Sequence, residues 1–124
     1  MTRIFLAIAA AFGGISVILG AFASHALKER LSDRALEIWE TGTKYQMYHA
    51  LALILIALLI TRLPASTSLL VAGYAFIAGI LIFSGSLYAL SLSGIKLFGA
   101  ITPLGGMAFI IGWICLAVAA WGIE

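Results

Sequence analysis

The sequence predicts an all-α membrane protein: four transmembrane helices in a compact antiparallel bundle, with a short amphipathic connecting helix between the first and second spans. Three observations lead there. The 124 residues are 64% apolar and only 10% charged, whereas a soluble domain carries roughly 25% charged residues and needs them to cover its surface. Eight of the twelve charged side chains fall between Lys28 and Lys44, as one island. The remainder divides into four apolar segments, each read as a crossing of a hydrocarbon core of ~30 Å at 1.5 Å per helical residue. Residues 1–124 therefore read as a single transmembrane domain. The net charge of +2 is too small and too dispersed to point to nucleic acid.

The first span covers about 4–26 and contains no charge. A competing reading is a secretory signal, since Arg3, an apolar stretch and Ala21-Phe22-Ala23 imitate an A-x-A cleavage site. Cleavage would put the basic island outside, against the positive-inside rule. The apolar run is also longer than a usual signal core, so an intact span is expected. The connector, 27–42, places Leu27, Leu31, Ala35 and Ile38 at helical spacing with Trp39 beside them, and Ser32 stands as N-cap for a helix beginning at Asp33. Such a helix either lies at the headgroup level with Trp39 as anchor or offers a docking surface to a soluble partner. Gly42 is expected to separate it from the second span.

That second span, about 43–60, opens on Thr43 with Gln46 three residues on, a capping-box pattern, and is closed by Arg62 and Pro64. The third runs from about 68 to 92 and stops at Ser93-Gly94. The fourth, 103–121, has Thr102 as a candidate N-cap and Pro103 at the first helical position. Lys28, Arg30, Arg34, Lys44 and Lys96 lie on one side of this topology, and only Arg3 and Arg62 on the other. The positive-inside rule then predicts a cell inner-membrane protein with both termini outside the cytoplasm and the 27–42 loop inside.

Small residues recur one turn apart at Ser16, Gly20 and Ser24 on the first span and at Ala108 and Gly112 on the fourth. Rows of this kind let helix backbones approach closely, within a bundle or between copies. Gly14-Ile15 with Gly20 recurs as Gly79-Ile80 with Gly85 at equal spacing, a faint sign of duplication. Cys115 has no partner for an internal disulfide and reads as a core or lipid-facing residue.

Alternating helices gather the uncommon residues into the leaflet beside the island: His25 from the first span, Tyr45, Gln46, Tyr48 and His49 from the second, Ser84, Ser86 and Tyr88 from the third, and Thr102 from the fourth. Polar groups in lipid are costly without partners, so the cluster should face inward. It is either an interhelical packing network or a small polar pocket open to the island side. Two histidines on neighbouring helices are suitable haem ligands in principle. Their unequal depth and the lack of nearby Cys, Asp or Glu argue against a metal or cofactor.

Four strings carry a resemblance: GAFASHALKERL (20–31), TGTKYQMYHALAL (41–53), FSGSLYALSLSG (83–94) and ITPLGGMAFIIGW (101–113). Together they resemble the YgdD-like family of small multi-pass inner-membrane proteins, over nearly the whole chain and in order. The resemblance implies a four-helix membrane protein and no reaction. It marks His25, Tyr45, Gln46, His49, Ser84, Ser86, Tyr88, Thr102 and Pro103.

No nucleophile–base set, paired intramembrane carboxylates or phosphate loop points to an enzyme. A proton-coupled transporter usually carries an ionisable residue deep in a span, and His49 is the only candidate. The expected function is an accessory or scaffold protein that binds a larger membrane complex, lipid or its own copies. The alternative is a small transporter or channel for a neutral or lipid-like solute, using the island-side cluster as a pocket.

Overall fold

The computed structural model describes residues 1–123. Four helices among them are long and apolar enough to cross a membrane. Helix α1 (Thr2–Phe22) runs into a π-helical turn (Ala23–Leu27), and α2 is Asp33–Ile60. The third span is built from α3 (Thr67–Gly79), a second π turn (Ile80–Ser84) and α4 (Gly85–Ser93), and the fourth is α5 (Lys96–Ala120). Half of the residues in the apolar window of α2 are buried, against 17% in α1 and in α5. The second and third spans therefore form the centre, with α1 packed on α2 and α5 packed on the third span.

Several local signals work as the sequence implies. Ser32 has extended backbone angles and its Oγ accepts from the Ala35 N–H at 3.1 Å, which starts α2 at Asp33. Ser66, a cap not anticipated from the sequence, starts α3 in the same way through Leu69 N–H. Gly94 takes the left-handed conformation (φ 70°) that ends α4, where a side chain would be strained.

Three expected boundaries are corrected. The 27–42 connector is not a separate amphipathic helix: only residues 28–32 form the link, and α2 then continues unbroken through Gly42. Gly42 is kept for space, because a Cβ there would stand 2.8 Å from the Tyr88 ring. Thr43 does not cap a helix; its hydroxyl donates back to Glu40 O within α2. The fourth helix begins at Lys96, seven residues before Pro103, which lies inside it. Thr102 is likewise internal and donates to Phe98 O. Pro103 leaves the Gly99 carbonyl without its usual N–H donor, a gap that sequence signals take for a helix start.

Trp39 is also corrected. Instead of anchoring at an interface it is 4% exposed, packed with Ala23 and Leu27, and its Nε1–H donates to Leu19 O at 2.9 Å. The main core lies toward the other membrane side, where Phe5, Leu53, Ile56, Leu69 and Phe76 are fully buried.

Candidate functional site

The seven buried polar side chains among the described residues are Ser16, Thr43, Gln46, His49, Ser84, Ser86 and Ser91. Six lie in the island-side half or at mid-span, His49 lies just beyond it against Phe76, and together they act largely through α2. Ser16 of α1 donates to Thr43 O at 2.7 Å, Ser84 donates to Gly42 O at 2.7 Å, and Ser91 of α4 donates to Ala35 O at 2.6 Å. These α2 carbonyls accept side-chain bonds from helices on two sides. Gln46 does the complementary work: its Nε2 donates to Phe12 O of α1 at 2.9 Å, and its Oε1 accepts from Tyr88 OH of α4 at 2.7 Å. One amide thus ties three spans together.

His49 has both ring nitrogens engaged. Nδ1 lies 2.8 Å from Tyr45 O, which can only accept, so Nδ1 carries the hydrogen. Nε2 then accepts from Trp113 Nε1–H at 3.0 Å. The ring stacks on Phe109 with centroids 3.5 Å apart and planes 9° from parallel. A second proton on this imidazole would set two N–H donors against each other, so the arrangement suits one neutral tautomer. Ser86 and Thr102 meet at 2.6 Å between α4 and α5. Each hydroxyl has one hydrogen and also faces a carbonyl, Phe83 O or Phe98 O, so two hydrogens serve three contacts.

The structure brings Gln46, His49, Ser84, Ser86, Tyr88 and Thr102 between helices, and it leaves three other candidates outside, Tyr48 being exposed on the outer face of α2. His25 is exposed beyond the end of α1, and with the helices in register it stands near the start of α2, roughly 22 Å above His49 along the helix. Tyr45 is 39% exposed; its ring packs on Phe83 at 4.8 Å and faces outward. Among the described residues no three His, Cys, Asp or Glu side chains come together. Every buried side-chain nitrogen and oxygen among them has a hydrogen-bond partner within the protein. A shallow lateral cleft of about 210 Å³ remains between α1 and the third span, with Leu19, Gln46, Ile80, Gly85 and Tyr88 in its walls.

The small-residue rows divide by position. Ser16 and Gly112 are tightly placed, and a Cβ on Gly112 would come within 2.5 Å of Phe76. Gly20 has open space, Ser24 bonds only to Gly20 O of its own helix, and Ala108 is half-buried. The closest approach to a neighbouring backbone falls at Gly105, where a Cβ would meet Phe83 N at 2.3 Å. Gly79 is wedged against Phe109 while Gly14 is open, so the two faint repeats have different roles. Cys115 is half-buried beside the main core. Trp113 was the partner invisible to sequence reasoning, since nothing local distinguishes it from a lipid-facing aromatic.

Residues 19–106 match the family described as "Protein of unknown function (DUF423)". The chain belongs to this family. It is 48% identical to the UPF0382 membrane protein YwdK of Bacillus subtilis (strain 168) over 118 residues, covering 95% of this chain and 96% of the relative. The UPF0382 membrane protein SAB0533 of Staphylococcus aureus (strain bovine RF122 / ET3-1) is 46% identical, with 96% of each chain covered. That of Staphylococcus haemolyticus (strain JCSC1435), SH2409, is 41% identical over the same shares. No solved structure matches. This DUF423 chain is an integral membrane protein, and the likeness to these relatives covers 95–96% of its length.

Proposed function

We propose that this DUF423 protein is a non-catalytic accessory or scaffold protein of the inner membrane, binding a larger membrane complex, lipid or its own copies. One observation supports the reading: six of the seven buried polar side chains among the described residues, all but Thr43, bond to a neighbouring helix, so their hydrogen-bonding capacity goes largely into holding the bundle. In this reading Gln46, His49, Ser84, Ser86, Tyr88 and Thr102 are packing residues. Both termini lie outside the cytoplasm and Lys28–Lys44 inside, which the five-to-two distribution of basic residues supports. The four motifs group the chain with the YgdD-like inner-membrane proteins.

The test is mild crosslinking in native membranes followed by gentle solubilisation, with a larger assembly as the expected result. A monomer that moves a neutral solute in liposomes would overturn the scaffold reading in favour of transport. The packing role has its own check. His49→Leu combined with Gln46→Leu should still complement a deletion strain, and lost complementation at unchanged abundance would establish a pocket.

A further inference from the structure

We propose that the exposed ridge of α2 seats an aminophospholipid of the island-side leaflet, its phosphate on Lys44 and its ammonium on Glu40 and Glu37. The proposal deepens the lipid-binding part of the scaffold reading and rests on it. Its first support is the depth of Lys44. Trp39 on Leu19 O and Ser16 on Thr43 O fix α1 against α2, while Ser84 on Gly42 O and Ser91 on Ala35 O fix the third span. The Ser86–Thr102 pair and the close approach of Gly105 to Phe83 carry this register to α5. Lys44 accordingly stands level with Ile15, Ile82 and Gly106, and Lys96 with the first turn of α2. Lys44 is thus about ten residues, ~15 Å, farther into the bundle than Lys96. At that level the three flanking helices carry no charge.

The second support is the order of groups along one face. Glu37, Glu40, Lys44, Tyr48, Leu51, Leu55 and Leu58 follow at three- and four-residue steps, and all are exposed. Charges at this depth need partners. The Arg34–Glu37 pair, 3.3 Å apart, is the one ion pair among the described residues, so Glu40 and Lys44 are not paired within the chain. From outside inward the ridge reads acid, acid, base, phenol, aliphatic. An aminophospholipid reads ammonium, phosphate, ester carbonyl, acyl chain in the same direction, and the Lys44 stem can extend outward to the phosphate. A lipid with phosphate alone would set that phosphate near Glu40. A second copy related by an axis along the membrane normal would set Lys44 against Lys44 at equal depth.

The test uses the full chain in nanodiscs of equimolar phosphatidylethanolamine, phosphatidylcholine and phosphatidylglycerol, with retained lipids counted by native mass spectrometry. Phosphatidylethanolamine should be retained preferentially, and excess inorganic phosphate should not displace it. Lys44→Gln should lower that retention about fivefold, the value of one lysine near a charged lipid surface. Glu37→Gln with Glu40→Gln should turn the preference toward phosphatidylglycerol. Retention without headgroup preference, displacement by phosphate, or a lipid-free dimer would overturn the proposal. A crosslinked larger assembly that shows no lipid preference would sink this inference and leave the scaffold reading standing.

Discussion

The two halves of the bundle are held by different means. In the half away from the island the largest buried side chains, Phe5, Leu53, Ile56, Leu69 and Phe76, touch one another and make no side-chain hydrogen bonds. In the island-side half the buried contacts run through Ser16, Gln46, Ser84, Ser86 and Ser91, mostly to backbone carbonyls of a neighbouring helix. Lipid gives apolar side chains no net push toward each other, so the first half depends on close packing. Hydrogen bonds between membrane helices contribute modestly, about 0.6–2 kcal/mol each. Their larger effect is directional: a hydroxyl that reaches one particular carbonyl fixes how far one helix slides along another. One half supplies most of the cohesion and the other sets the register.

The strongest way to break this contrast is in the apolar half. Leu53→Ala, at a fully buried position, should lower stability by roughly 2–5 kcal/mol, read as the shift in an unfolding curve in mixed micelles. A smaller effect is expected at Gln46. Gln46→Leu removes two interhelical bonds and should cost about 1–2 kcal/mol, with a change in helix-to-helix crosslinking pattern that Leu53→Ala does not produce. If Gln46→Leu costs as much as Leu53→Ala, the division of labour is wrong. The smallest effect belongs to Gly20→Ala, whose added methyl meets nothing within 4 Å. Its stability should stay within about 0.5 kcal/mol of the parent, and a large loss would mean that α1 packs against another molecule in the membrane used for the measurement.

Span number and approximate extent are legible because the length of an uncharged run is a property of sequence alone. Ser32 and Gly94 are legible too, since their signals act on adjacent backbone. Thr43, Thr102 and Pro103 mislead for a physical reason: a hydroxyl that can cap an N–H can equally return to a carbonyl three or four residues back, and the sequence is the same in both cases. The candidate cluster was readable by depth but not by direction. Depth follows from counting residues, which sets Gln46, Ser84 and Thr102 within a few turns of one another. Direction depends on neighbours, so the sequence does not separate exposed His25 from the buried residues or mark Trp113 as the partner of His49. The π turns at Ala23–Leu27 and Ile80–Ser84 left no mark at all, because a π turn needs no special residue type.

The pairing of Trp39 with Leu19, Ser16 with Thr43 and Gln46 with Phe12 has a consequence for biosynthesis. All three bonds close within the first 60 residues, before the third span leaves the ribosome. The first two helices can therefore enter the bilayer as a hairpin whose polar groups are largely satisfied, although the second carries charge along its leading half. Tyr88 and Ser84 arrive later and dock onto a template whose register is already set. A chain truncated after Pro64 should accordingly form a stable membrane-inserted hairpin, with Trp39 shielded from aqueous quenchers.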